Sequence, residues 1–439
     1  MNKKLRIFTC VLLTFLNLSS VGALTLYKNK LNSDAVYVVN KSTGTPIVEK
    51  NINKKRSPAS ITKIMTFIIV YEKCKDLNQK VKITQNVLDL VDPESSGCEF
   101  KDGDEFKIID LLHAMLICSS GAAAIILANY LSGNIENFVN VMNEKAKSLG
   151  CTDTHFVNPD GLYNENQYMT AMDVYKMAKY AMEIPLLLNI VAKSEYSFFG
   201  DDRDPIITSN KMIDPKRGGE HYYPYVKGIK TGYLEEAGRC LVSYAEKGNS
   251  TYISVVMGGP ILDENGNKIE KNMAMIDTKN IYIWAFENLK TIKLYPRDFP
   301  IAEVNLGLVW KQDKLLLSPK SDFYAALPLN AKKEDVTIKV YAPELVNAPI
   351  NKGDIIGTAN IFYQGQRFGD FDLVSTETFG KNYALIVLNA LKKAISSPIF
   401  IIIFSLFTVC AIFYIFMIMR ENKRRRKRAK VKKFPNLKT

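Results

Sequence analysis

The chain has 439 residues, 47% of them hydrophobic and 23% charged; this excludes wholesale disorder, collagen and a disulfide-scaffold mini-protein and leaves room for two or three domains. A net charge of +13 points at first to a polyanion. Residues 420–439 carry eleven Lys/Arg against Glu421, and Lys3, Lys4 and Arg6 supply the rest, so the body of the chain is about neutral and has no electrostatic reason to bind nucleic acid.

The charged ends are topology signals. Lys3, Lys4 and Arg6, an apolar run over residues 7–16 and the small-residue stretch Val21-Gly22-Ala23 predict a signal peptide over residues 1–23. Residues 35–39 are a short strand, and Ser57-Pro58-Ala59-Ser60 leads into residues 61–71, apolar at helical length. Residues 110–131 show a second long apolar helix pattern with Ser119 and Ser120 on its edge. Residues 225–233 are extended, and residues 239–246 and 251–257, joined by Lys247-Gly248-Asn249-Ser250, predict a β-hairpin. Residues 24–290 therefore read as one domain of mixed strands and helices. Short alternating strands with Pro and Gly turns, such as residues 336–341 and 357–363, predict a small all-β domain over residues 291–383. A helical linker, 384–397, leads into residues 398–419, whose 21 uncharged residues from Ile399 to Met419 span about 31 Å as a helix and match a bilayer core. The basic cluster of residues 420–439 fixes that end in the cytoplasm by the positive-inside rule, so the expectation is a single-pass protein of the cell membrane with residues 24–397 outside. The tail is also expected to be drawn to anionic lipid.

Five cysteines (Cys74, Cys98, Cys118, Cys151 and Cys240) fall in the expected exported part, an odd number that leaves at least one free thiol or an intermolecular pair. No CxxC and no Cys/His grouping has zinc spacing, so neither a metal nor a cofactor is expected. With His113, His155 and His221 as the whole histidine complement, and neither GxSxG nor HExxH present, a His-dependent hydrolase or zincin loses its main supports. Ser60-Ile61-Thr62-Lys63 remains. It is the one serine followed by lysine three residues later, and i,i+3 spacing at a helix start puts both side chains on one face. A lysine can deprotonate serine once burial or a neighbouring cation lowers its pKa. Lys230-Thr231-Gly232 offers the second cation on an extended segment, where a substrate could pair with the backbone and Gly232 would not obstruct it.

These segments resemble the penicillin-binding D-alanyl-D-alanine carboxypeptidases, low-molecular-weight serine peptidases that trim peptidoglycan stem peptides. The resemblance covers roughly residues 25–380. Ser57 to Thr66 is similar to the family's nucleophile segment, and Val226 to Tyr233 with Ala237 to Val242 to its third motif and following strand. Asn158-Pro159-Asp160-Gly161-Leu162 and Thr170-Ala171-Met172-Asp173 also match, although Thr170 and Asp173 are explained equally by helix N-capping. The resemblance implies an α/β (α+β) catalytic domain of the serine β-lactamase/penicillin-binding-protein type followed by a small all-β domain. It implies Ser60 as acylated nucleophile, Lys63 as general base and Ser119 as proton relay, with Lys230 and Thr231 holding the terminal carboxylate beside Gly232. Backbone N–H groups of Ser60 and Tyr233 would form the oxyanion hole. Peptidoglycan stem peptides are the implied substrate and β-lactams the implied inhibitors.

The chain departs from the family in three places. The second motif, Ser119-Ser120-Gly121, lacks its usual terminal Asn, for which Ser120 or a bound water is expected to compensate in part, and whose restoration by Gly121→Asn is expected to raise activity. Leu234 stands where a polar residue is usual, and the later carboxylate-binding basic residue has no match. A class A β-lactamase is disfavoured because no Glu-x-x-Leu-Asn segment occurs. A transpeptidase and a catalytically weak or idle homologue acting as a cell-wall interaction protein are the remaining alternatives.

Overall fold

The computed structural model describes Tyr27 and residues 29–198, 203–310 and 312–431; the expected signal segment and the end of the basic tail lie outside the described residues. The chain packs as two units. One holds residues up to Pro296 with Ser321–Lys339 and Ala359–Phe371; the other holds Arg297–Lys320, Val340–Thr358 and the chain from Asp372 onward.

In the first unit, β1 (Ala35–Asn40), β2 (Pro46–Lys50), β3 (Val226–Leu234), β4 (Gly238–Lys247) and β5 (Ser250–Gly259) form an antiparallel sheet in the order β2-β1-β5-β4-β3. The expected hairpin is β4–β5. Every residue of β1 is buried, because successive side chains enter two different cores. Ala35, Tyr37 and Val39 join a core with α1 (Lys63–Lys73), α2 (Ile108–Ile117), α3 (Gly121–Ser132), α4 (Ile135–Ser148) and α5 (Ala171–Ala181). Val36 and Val38 join Tyr252, Val256 and residues of α6 (Met273–Asn288) in the other. Helices therefore cover both faces of the sheet, as the mixed pattern requires.

The sequence of α1 is rich in β-branched residues, which lowers its intrinsic helix preference. Burial compensates. All residues from Lys63 to Val70 are buried, so α1 is the central helix of the larger core, entered through a 3-10 turn at Ala59–Thr62. The apolar pattern over residues 110–131 is two helices rather than one. The break falls at Cys118–Ser120, where Ser119 takes φ +67° and the Ser120 side chain caps α3 by accepting from Ala123 N–H at 3.2 Å. Periodicity runs straight through this point because both helices present apolar faces to the same core.

Leu289–Tyr295 pairs antiparallel with Phe323–Pro328. In the second unit Ala302–Gly307 lies between antiparallel Lys314–Pro319 and parallel Leu345–Asn347. Among the described residues a 3-10 turn at Lys333–Asp335 is the one helical piece within 289–375, in keeping with the β pattern. Two helices follow, α7 (Tyr383–Ile395) and α8 (Pro398–Val431). Within α8, Pro398–Lys427 contains an 18-residue stretch of mean hydropathy 2.8, long and apolar enough to cross a membrane, and the helix continues without interruption into the basic residues.

Phe67 on α1 is completely buried in the larger core. Phe67→Ala is expected to cost about 3–5 kcal/mol, read as a lowered urea midpoint at unchanged slope.

Candidate active site

Ser60 lies in the turn before α1, and Lys63 begins the helix. The Lys63 Nζ donates to Ser60 Oγ at 3.0 Å and to the Asp160 carbonyl at 2.5 Å, so one i,i+3 pair is closed by a distant loop. That loop is tied down: Thr66 Oγ1 donates to Pro159 O at 2.6 Å, and Gly161 N–H donates to Asn158 Oδ1 at 2.8 Å. Gly161 (φ +89°) permits the contact, since a Cβ there would fall 2.0 Å from the Ala59 carbonyl oxygen. Ala59 itself sits at φ +50°, a left-handed conformation costly for alanine, directly before the serine. The Lys63 amine is wholly buried, which lowers its pKa to about 8 against a smaller opposing pull from Asp160.

A second serine–lysine pair faces the first. Lys230 of β3 donates to Ser119 Oγ at 2.8 Å and to the Thr231 carbonyl at 3.0 Å. Burial and then the nearby Lys63 hold Lys230 well below the ordinary lysine range. The Thr231 hydroxyl lies 2.6 Å from Ser209 Oγ. Gly232 packs on the turn that holds Ser60: its Cβ would stand 3.1 Å from Ala59 Cβ and 3.3 Å from Ser60 N. The close approach that Gly232 allows is therefore that of the chain's own turn. Tyr233 is 56% exposed and lines the cleft with Ser60 and Lys63.

All seven residues singled out by motif thus converge on one cleft region. Ser120 does not serve as expected: it is fully buried, caps α3 and donates to Cys98 O at 3.1 Å, which removes it from the cleft. Motif reading missed Asp160 as the partner of Lys63, Ser209 beside Thr231, and the Ser95-Ser96 wall. It also missed Arg239, which lines the cleft while donating to the Ile269 carbonyl at 3.0 Å. Helix and strand patterns carry no signal for contacts between residues this far apart in sequence. His113 is consumed structurally, bonded to Ile109 O at 2.8 Å and stacked on Tyr196.

Among the described residues, the five cysteines outside α8 are free thiols. Cys118 Sγ donates to the Ala114 carbonyl at 3.2 Å; its interaction with the neighbouring Cys98 thiol, helped by Lys230, pulls Cys118 down, and the same interaction together with burial pushes Cys98 up. No three His, Cys, Asp or Glu side chains converge to hold a metal among the described residues.

Residues 23–260 match the family described as D-alanyl-D-alanine carboxypeptidase. The chain belongs to the D-alanyl-D-alanine carboxypeptidase family. Residues 289–381 match the C-terminal domain described for penicillin-binding protein 5. The chain is 29% identical over 350 residues to the D-alanyl-D-alanine carboxypeptidase DacF of Bacillus subtilis, covering 78% of this chain and 85% of that protein. To DacA of Escherichia coli it is 25% identical over 358 residues, covering 79% and 83%. Penicillin binding protein 5 from Haemophilus influenzae shares the fold at TM-score 0.68 and 23% identity, with 81% and 99% of the two chains covered. The Streptomyces K15 DD-transpeptidase superposes at TM-score 0.52 with 27% identity, over 60% of this chain and 99% of its own. This carboxypeptidase is accordingly a serine hydrolase whose catalytic domain is followed by an all-β domain and one apolar C-terminal helix.

Cys118 lines the cleft and is the thiol of the pair shifted toward the thiolate, so iodoacetamide should modify it at lower pH than Cys98 in the same protein. Peptide mapping of the labelled thiols across pH checks this.

Proposed function

We propose that this protein removes the terminal D-alanine of peptidoglycan stem pentapeptides through an acyl-enzyme on Ser60, and that β-lactams acylate the same serine. The observation that carries the reading is the Lys63 amine, buried and 3.0 Å from Ser60 Oγ. Its pKa of about 8 leaves a working fraction neutral at pH 7. Neutral Lys63 takes the Ser60 proton as Oγ attacks the carbonyl between the two D-alanines. Backbone N–H groups of Ser60 and Tyr233 stabilise the oxyanion, being fixed before charge develops. Ser119, bonded to Lys230, relays a proton to the departing D-alanine, and water then hydrolyses the ester. Thr231 and Lys230 hold the terminal carboxylate. Its arrival favours charged Lys230, and charged Lys230 in turn favours neutral Lys63. β3 is an edge strand of the sheet, where an extended peptide can add alongside.

In this reading residues 24–290 are the catalytic domain and 291–383 the small β domain, with 384–397 as linker. Residues 398–419 span the cell membrane, the catalytic domain lies outside and the 420–439 tail is cytoplasmic. Gly121 favours a second reading, a weak or idle wall-binding homologue; penicillin acylation without release of D-alanine is its signature.

Fluorescent penicillin should label Ser60, and Ser60→Ala should abolish the label; persistence of the label would remove the assignment. The acylation rate should rise with pH along a limb centred near pH 8, because deprotonation of Lys63 creates the base. Lys63→Arg should be nearly inactive, since guanidinium stays protonated. Protease added to intact spheroplasts should digest residues 24–397 and spare the tail; a protected catalytic domain would reverse the orientation.

A further inference from the structure

One wall of the cleft beside Ser60 is the segment 92–98, on which no motif falls. Asp92 folds it into a turn: its carboxylate accepts from Glu94 N–H at 2.8 Å and its carbonyl from Ser95 N–H at 2.9 Å. Three bonds then fasten the segment to the start of α3. Gly121 N–H donates to Ser96 O at 2.9 Å, Ser120 Oγ donates to Cys98 O at 3.1 Å, and Ser96 Oγ donates to Ser119 O at 3.4 Å. Gly97 allows so close an approach, for at φ +105° a Cβ would fall 2.3 Å from Ser120 Cα.

The result is that Ser95 occupies the space above Gly121. A Cβ built on Gly121 would lie 2.8 Å from Ser95 Oγ and 2.9 Å from Ser95 Cβ. The bare glycine and the incoming serine are two halves of one arrangement, so adding a side chain at 121 alone collides with Ser95 instead of filling a gap. The earlier expectation that Gly121→Asn raises activity is therefore reversed. Ser95 Oγ donates to Asp160 Oδ2 at 3.4 Å, and Asp160 is 3% exposed. A carboxylate accepts only, so in this contact the Ser95 hydroxyl is the donor and its oxygen lone pairs are left for a donor entering the cleft. Ser60, Lys63, Ser95, Gly121 and Asp160 line that cleft together.

We propose that Ser95 is a substrate-binding residue whose hydroxyl, oriented by Asp160, accepts an amide N–H from the acyl part of the peptide or β-lactam held at Ser60. The proposal rests on the acyl-enzyme reading. It makes residue 95, outside every motif, the polar group that faces the acyl chain where the second motif offers none.

The test measures acylation rates of the full chain with benzylpenicillin, whose side chain carries an amide N–H, and with penicillanic acid, which lacks it. Ser95→Ala should slow benzylpenicillin about tenfold, the usual loss for one hydrogen bond to a neutral group, and slow penicillanic acid less than about twofold. Ser95→Thr, which keeps the hydroxyl, should retain most of the benzylpenicillin rate. Equal slowing of both compounds by Ser95→Ala, or slowing of neither, overturns the contact. Gly121→Asn should lower the benzylpenicillin rate, and Ser95→Gly/Gly121→Asn should recover part of it by clearing the space; a faster Gly121→Asn enzyme overturns the placement of Ser95. Wild-type labelling at Ser60 is read in the same experiment. Its absence overturns the acyl-enzyme reading and the Ser95 contact with it, whereas labelling at Ser60 with equal slowing of both compounds overturns the contact alone.

Discussion

The site depends on an amine kept in a place where its charge is poorly supported. Lys63 Nζ has a hydroxyl and a carbonyl as hydrogen-bond partners, both neutral, and no carboxylate pairs with it as a salt bridge among the described residues. Burying a cation with neutral partners favours the deprotonated form, which is what a serine-activating base needs. The surroundings follow from that requirement. A helix buried from Lys63 to Val70 carries the lysine, the Asn158-to-Leu162 loop supplies the carbonyl, and Gly161 lets the loop touch the turn that holds Ser60.

A second buried lysine extends the same logic across the cleft. Lys230 reaches Ser119 because α2 and α3 are separated by a left-handed residue instead of joined, and because β3 lies against the turn that holds Ser60. Two serine–lysine pairs from three segments are thus held by one packed core. Each amine disfavours charge on the other, so the two protonation states are linked through space without any moving part.

Much of this was legible in the sequence. The apolar run of residues 35–39, the turn at Lys247 to Ser250 and the apolar run of α1 are each local signals, and the structure follows them closely. Ser60 and Lys63 could be paired because three residues on a helix fix a distance. The break at Ser119 was hidden, since the hydrophobic pattern continues across it and a left-handed serine leaves no compositional mark. Gly232 was read as a residue that lets a substrate come close; the structure shows that the turn holding Ser60 also lies against it. Asp160, Ser209 and Ser95 act through contacts spanning many residues of chain, which neither period 2 nor period 3.6 encodes.

The unbroken course of α8 has a mechanical consequence. Its apolar part alone matches a bilayer, and the same rigid rod carries eight lysines and arginines between Arg420 and Val431. In the proposed orientation, pulling it outward would drag these residues through hydrocarbon at about 2.5–3.5 kcal/mol each on insertion scales, so the resistance to extraction would grow with every turn displaced. A helix seated that way would hold its domain against a sustained tug from a polymer under tension, where an anchor lying flat on the surface would peel.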